Sequence, residues 1–183
     1  MSADQPVYLA GYDPAWPARF AEQHDRLAVI LAPWLAAQIT HIGSTAVVGL
    51  PAKPVIDVLA PVRSLDAARG GAVAALEAAG WLFWPQDPCG HYRLWFLRPR
   101  PEARTHHLHV IEHGDSHAEA LLAFRDALRA DPALARDYAA LKSRLAREHP
   151  TNRNAYTNAK GAFVDEVLRH AGLSPPPRVP LPE

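Results

Sequence analysis

The chain predicts an α+β fold: a small mixed β-sheet flanked by helices, followed by a helical C-terminal half. Three observations carry this. Up to Glu112, short apolar runs bordered by glycine and proline alternate with helical periodicities. Beyond Ser116, apolar residues recur only at three- and four-residue intervals. Two strand-like runs also follow one another without a helix between them, which favours an antiparallel or mixed sheet over a doubly wound one. The length of 183 residues fits one domain. We place that domain at residues 1–172, its sheet part at about 12–113 and its helical part at about 116–171, with 173–183 as a Pro-rich tail.

The elements follow in order. Asp13 is the expected N-cap of a first helix with Pro14 in its first turn, and Phe20, His24, Leu27 and Leu31 share a face until Pro33 intervenes. Residues 38–43 and 54–60 read as short buried strands around a glycine-bearing loop. Ser64 caps a second helix with the stripe Leu65, Ala68, Val73, Leu76 and Ala79, stopped by Gly80. Residues 81–84 and 92–97 are strand-like, and the Pro-Gly connection between them makes Cys89 a turn residue rather than a nucleophile. A Pro-rich loop over 98–104 leads into a strand over 106–112. Ser116 is the expected cap of a helix carrying Leu121, Leu122, Phe124 and Leu128. Asp131-Pro132 opens another, with Leu134, Tyr138, Leu141 and Leu145 on one side. From about Asn154, the residues Tyr156, Ala159, Phe163, Val167 and Leu168 predict a single last helix. The prolines that follow predict an extended or unstructured arm.

Composition narrows the function. Nineteen basic and nineteen acidic residues cancel, so no field of one sign covers the molecule and an obligatory nucleic-acid partner is disfavoured. One cysteine excludes an internal disulfide and a multi-cysteine zinc site. No run reaches the roughly 18 apolar residues of a membrane span, and the start lacks a secretory pattern, so a cytoplasmic protein without membrane partners is expected.

Two stretches carry chemistry. In the first, an apolar strand ends in Gly43-Ser44, a loop with Lys53 follows, and a second strand delivers Asp57. Gly43 lets a phosphate approach the backbone, Ser44 offers a hydroxyl and an N–H, and Lys53 offers charge. Asp57 is an acid inside Val55-Ile-Asp-Val-Leu59, and burying it alone costs several kcal/mol, so it needs a cation, a metal or hydrogen bonds. The spacing is not that of a Walker A loop. In the second stretch, Arg104-Thr-His-His-Leu-His-Val-Ile-Glu112, strand alternation puts His107 and His109 on one face and His106 on the other. Two such imidazoles with Asp57 make a candidate metal or catalytic set, or the polar lining of a ligand pocket. Arg93 and Lys160 are further candidates for phosphate, Lys160 because Ala159, Gly161 and Ala162 beside it are small. For Arg125 and Lys142 a solvated position is expected.

The segment from His41 to Asp57, with Arg104-Thr-His-His-Leu-His-Val-Ile-Glu, Phe124-Arg-Asp-Ala-Leu-Arg, Tyr138-Ala-Ala-Leu-Lys and Tyr156-Thr-Asn-Ala-Lys160, resembles in order the GrpB family, also called UPF0157. The likeness runs from about Tyr12 to His170, departing at Val48 where the family usually has proline. It implies a fold similar to the polymerase-β-like nucleotidyltransferases. Because GrpB-like domains follow dephospho-CoA kinase in some bacteria, it also implies a CoA-pathway kinase as partner. In the nucleotidyltransferase pattern, Gly43-Ser44 and Asp57 fill the first two places, but Leu59 stands where a second carboxylate belongs. Two-metal transfer needs that carboxylate. Two readings follow. One is a divergent metal-dependent nucleotidyltransferase or phosphate-ester hydrolase. It would use Asp57, His107 and His109 on a divalent metal (magnesium, manganese or zinc) and Gly43, Ser44, Lys53, Arg93 and Lys160 on the nucleotide. The other is a non-catalytic nucleotide or CoA-precursor binding module.

Overall fold

The computed structural model describes residues 6–182. Among these, five strands form one sheet: β1 (Thr40–Ile42), β2 (Ile56–Val62), β3 (Leu82–Phe83), β4 (Arg93–Arg98) and β5 (His106–Glu112), in the order β1-β2-β5-β4-β3. Only β2 and β5 run parallel; the other neighbours are antiparallel, so the sheet is mixed as expected. Helix α1 (Trp16–Leu31) precedes it and α2 (Leu65–Ala78) joins β2 to β3. Helices α3 (Ser116–Ala130), α4 (Pro132–Glu148), α5 (Arg153–Ala159) and α6 (Gly161–His170) make up the second half.

The pleat divides the sheet's residues between two layers. Ile56, Val58, Ala60, Leu94, Phe96, Leu108 and Val110 face α1 and α2, where they meet Leu27, Leu31, Ala68 and Leu76 in the main core. His106 lies in this layer, edge-on to Trp81, so it points away from His107 as the alternation requires. On the opposite layer Ile42, Leu59 and Ile111 pack with Ala118, Leu121 and Leu122 of α3. Helix α3 covers only part of that face. The uncovered part holds the polar residues.

Local signals account for most element ends. Ser64 accepts from the Ala67 N–H, Glu112 accepts from the Leu65 N–H, and Gly80 follows α2 at φ 84°. Asp131 accepts from the N–H groups of Ala133 and Leu134. Three expectations are corrected. Asp13 shapes an entry turn rather than capping α1: its side chain accepts from Ala15 N–H and its carbonyl from Trp16 N–H, where the helix begins. The cap of α3 is Asp115, whose carboxylate accepts from His117 N–H, and not Ser116. The predicted last helix is two, broken at Lys160.

Gly70 and Gly71 offer a test of packing. A Cβ at exposed Gly70 meets nothing within 4 Å, whereas one at Gly71 falls 2.6 Å from the Trp34 ring. Gly70→Ala is therefore expected to raise stability by about 1 kcal/mol through helix propensity. At Gly71 the same change is expected to lose about 1–3 kcal/mol. Urea midpoints of the two variants, moving in opposite directions, check this.

Candidate functional site

Strand register assembles the site. On β2, Asp57 lies between Ile42 of β1 and His107 of β5. On β5, His109 lies between Leu59 of β2 and Trp95 of β4. Asp57, His107 and His109 therefore share one face, as the alternation predicts. His107 Nδ1 is 2.9 Å from Asp57 Oδ1, and His109 Nε2 is 3.8 Å from the same oxygen. Burial pushes the Asp57 carboxyl up, but the hydrogen bond from His107 and the facing N–H of His109 outweigh it and hold the group well below the usual carboxylate range. Burial lowers His107 to about 4 despite the attraction of Asp57, and lowers His109 as well, so both rings are neutral at pH 7.

The glycine loop packs against this acid. Gly43 has φ 72° and ψ −174°, a conformation that is essentially glycine-only. A Cβ there would lie 2.5 Å from Asp57 Oδ2. Ser44 then opens a three-residue 3-10 turn, Ser44–Ala46. Leu59 lies one pleat further along the face, fully buried against Ile42, Ile111 and Ala118. A carboxylate there would be desolvated under α3. The position is core in this chain and offers no second acidic ligand.

The cavity these residues line, of about 470 Å³, draws on both halves of the chain. Gly43, Ser44, Lys53, Asp57, Arg93, His107, His109 and Lys160 all line it, so every residue singled out from the sequence converges there. Lys53 and Lys160 place their ammonium groups 5.0 Å and 4.4 Å from the centre of the Tyr156 ring. Arg93 is engaged with Asp87 through two contacts of 2.6 and 2.9 Å. Its Nη1 lies 3.3 Å from His109 Nδ1. The open side of Gly161, read as room for a ligand, is taken by the Arg178 side chain, which a Cβ would meet at 3.4 Å.

Lys142 corrects the solvated expectation. It is 2% exposed, with Nζ donating to Ser44 Oγ at 3.0 Å and to the Pro51 carbonyl at 2.5 Å. Its stem crosses from α4 to the glycine loop, and its ammonium lies 4.8 Å from the Tyr138 ring centre. The spacing of Tyr138, Leu141 and Leu145 marks α4's apolar face, and a lysine one residue past Leu141 gives no sign of reaching a loop 98 residues earlier. Arg125 is likewise tied, its Nη1 donating to the His41 carbonyl at 2.9 Å. Arg153, Asp87 and Trp84 line the cavity without having been singled out by any motif.

Among the described residues, six basic side chains (Lys53, Arg93, Arg104, Lys142, Arg153 and Lys160) face two carboxylates, Asp57 and Asp87. Burial, then the neighbouring Lys160, lowers Lys142 to about 7; burial, against the pull of Asp57, lowers Lys160 to about 8. Lys53 is pushed well below its ordinary value by burial and by Lys160. The ligand atoms of Asp57, His107 and His109 lie within 4.8 Å of one another, a donor set of the right type for a transition metal. The surroundings oppose it. A guanidinium only donates, so His109 Nδ1 must accept from Arg93 and the ring proton stays on Nε2, the nitrogen facing Asp57. A metal-bound histidine instead donates its outer N–H to an acceptor. As arranged here, the site fits an anion better than a cation.

The chain matches known proteins along nearly its whole length. Residues 6–170 match the family described as GrpB protein. A UPF0157 protein of Pseudomonas aeruginosa is 42% identical over 173 residues, 92% of this chain and 69% of that protein. A dephospho-CoA kinase of Mycolicibacterium paratuberculosis is 31% identical across 92% of this chain, which spans 47% of that longer protein. Among solved structures, the conserved protein GrpB from Enterococcus faecalis superposes with a TM-score of 0.80 at 32% identity, covering 90% of this chain and 96% of that one. No described helix is long and apolar enough to cross a membrane. With the family match spanning residues 6–170 and relatives this similar, the chain belongs to the GrpB family.

Proposed function

We propose that the protein binds a nucleotide or another phosphorylated small molecule in this cavity, with Lys53, Lys142, Lys160 and Arg153 around the phosphates. The observation that carries the reading is the imbalance of charge. Among the described residues, six basic side chains line a half-enclosed space with two acids, one of which is already bridged by Arg93. Lysines lowered by burial and by neighbouring cations, Lys142 by Lys160 and Lys160 by Arg153, are stabilised by an anion placed among them. Trp84, half-buried in the cavity lining, is an aromatic side chain against which a base can stack. The volume is that of a small-molecule site.

The test is isothermal titration with ATP, pyrophosphate and dephospho-CoA, with and without magnesium, manganese or zinc, on the unmodified protein and on Asp57→Asn. Binding without metal that is kept or strengthened in Asp57→Asn supports an anion site, because the substitution removes a like charge. A second reading rests on the donor set of Asp57, His107 and His109: a metal-dependent nucleotidyltransferase or phosphate-ester hydrolase in which Arg93 leaves His109. Binding that requires a metal and disappears in Asp57→Asn selects it. No response to any of these ligands sinks both. A partnership with a CoA-pathway kinase rests on the kinase relative alone, and selective binding of dephospho-CoA over ATP would support it.

The pH dependence of the anion reading has a definite sign. Lys142 and Lys160 titrate at about 7 and about 8 in the free protein, and the bound anion favours their charged forms. Affinity is therefore full below pH 7 and falls as pH rises, by up to about tenfold per unit for each proton taken up on binding. Titration of ATP between pH 7 and 9, where the phosphate's own second ionisation is complete, checks this. Proton uptake should appear as a buffer-dependent binding enthalpy.

A further inference from the structure

The C-terminal segment forms part of this cavity. After α6 the chain turns at Gly172 (φ 79°) and runs as an extended Pro-rich arm back along α6 and α5. Arg178 donates twice to Asp165 Oδ1, at 2.8 and 2.5 Å, and lies across Gly161 beside the helix break at Lys160. Further on, the Asn158 side chain grips the backbone of Leu181 in both directions: Nδ2 donates to its carbonyl at 2.9 Å and Oδ1 accepts its N–H at 3.0 Å. One turn earlier on the same helix face, Asn154 Nδ2 donates to the Pro182 carbonyl at 2.7 Å. Leu181 and Pro182 then line the cavity alongside Tyr156, Thr157 and Lys160.

Two properties make this arm a built element rather than a loose end. Prolines at 175, 176, 177, 180 and 182 fix an extended backbone in advance, so docking it costs little entropy. They also remove N–H groups, and the N–H of Leu181 is the one that Asn158 accepts. A two-way amide clasp on extended backbone is the geometry of strand pairing, supplied here by a side chain. With the arm in place the cavity retains about 470 Å³, the size of a ligand site, so the arm borders the space rather than filling it.

We propose that residues 178–182, clasped by Asn154 and Asn158, form the wall that selects the non-phosphate part of the ligand. This rests on the phosphate-binding reading above. The phosphates are held by Lys53, Lys142 and Lys160, and the group attached to them packs against Leu181. Pyrophosphate, which has no such group, does not reach the wall.

The experiment compares the full chain with Asn154→Ala/Asn158→Ala, using one readout without a ligand and one with. Acylation of Lys160 by an amine-reactive reagent, followed by mass spectrometry, is expected to accelerate at least about fivefold when the clasp is lost, the ratio equivalent to about one hydrogen bond. ATP affinity is expected to fall about tenfold for the three lost bonds, with pyrophosphate affinity unchanged. Unchanged Lys160 labelling, or equal loss of ATP and pyrophosphate, overturns the wall. Faster labelling with neither ligand bound by either protein overturns the phosphate reading and, with it, the wall's selective role, and retains only the docking of the arm beside Lys160. Leu181→Gly, outside the core, repeats the ATP-to-pyrophosphate comparison if the double variant fails to fold. An unchanged ratio in that variant also overturns the proposal.

Discussion

The protein is expected to unfold in mild acid, with a midpoint near pH 5. In the unfolded chain histidines take up protons near pH 6.5, whereas His41, His106 and His107 resist until about 4 in the folded protein. Burial is the leading cause at each, reinforced at His41 by Arg129 and Arg125 and at His106 by Arg98. Between the two values protons go preferentially to the unfolded chain. The folded state therefore has its full stability above pH 6.5 and loses it as pH falls toward 4. The shift at fully buried His107 is equivalent to at most ~3 kcal/mol and those at the less deeply buried His41 and His106 to less, so the three together reach several kcal/mol, comparable with the whole stability of an ordinary domain. Asp57 acts in a lower window: its depressed carboxyl contributes above its unfolded value near 4 and fails below it. Circular dichroism and tryptophan fluorescence followed from pH 7.5 to 4 check this. A melting temperature that stays level down to pH 4.5 would contradict the assignment of these rings as buried and neutral.

Gly43→Ala is expected to cost about 3–5 kcal/mol, combining a backbone strain of 1–3 with an overpacking term of similar size. The strain comes from φ 72° and ψ −174°, and the overpacking from the Asp57 carboxylate at 2.5 Å. Relief requires the loop to move off Asp57, which also displaces Ser44 from Lys142, so phosphate affinity should fall with stability. Gly49→Ala is the control. Its φ of 79° is equally left-handed, but a Cβ there meets nothing within 4 Å, so only strain of ~1–2 kcal/mol remains. Denaturant midpoints for the two variants separate the terms, and equal losses would mean that Asp57 does not press on the glycine.

The sequence was most legible where chemistry is local. An acid between apolar neighbours, two histidines two residues apart and a glycine before a serine each announce their geometry through strand alternation or backbone freedom. Asp57, His107, His109, Gly43 and Ser44 consequently meet where they were expected to. Lys142 was misread because its spacing places it near α4's apolar face without saying what that face packs against. Arg93 was read as a free phosphate ligand, yet Asp87 six residues earlier holds it. The link passes through a turn whose shape no motif encodes. The break at Lys160 was hidden because Ala159, Gly161 and Ala162 interrupt no helical pattern. Gly161 is instead the point where Arg178 crosses.

The order of elements, most of their ends, the choice of face for each strand residue and the absence of an acid at Leu59 were determined by the sequence itself. Each depends on periods of 2 or 3.6 residues and on caps a few residues away. Tertiary structure alone decided that β5 inserts beside β2, which sets His107 opposite Asp57. It also decided that α4 delivers Lys142 to Ser44 and that the C-terminal arm is held along the cavity by Asn154 and Asn158. Those pairings join residues from 23 to 98 positions apart where they are clasp or ammonium contacts, and 50 apart across the sheet. They are chosen by which apolar faces bury one another, a sum over the whole chain that no local pattern contains.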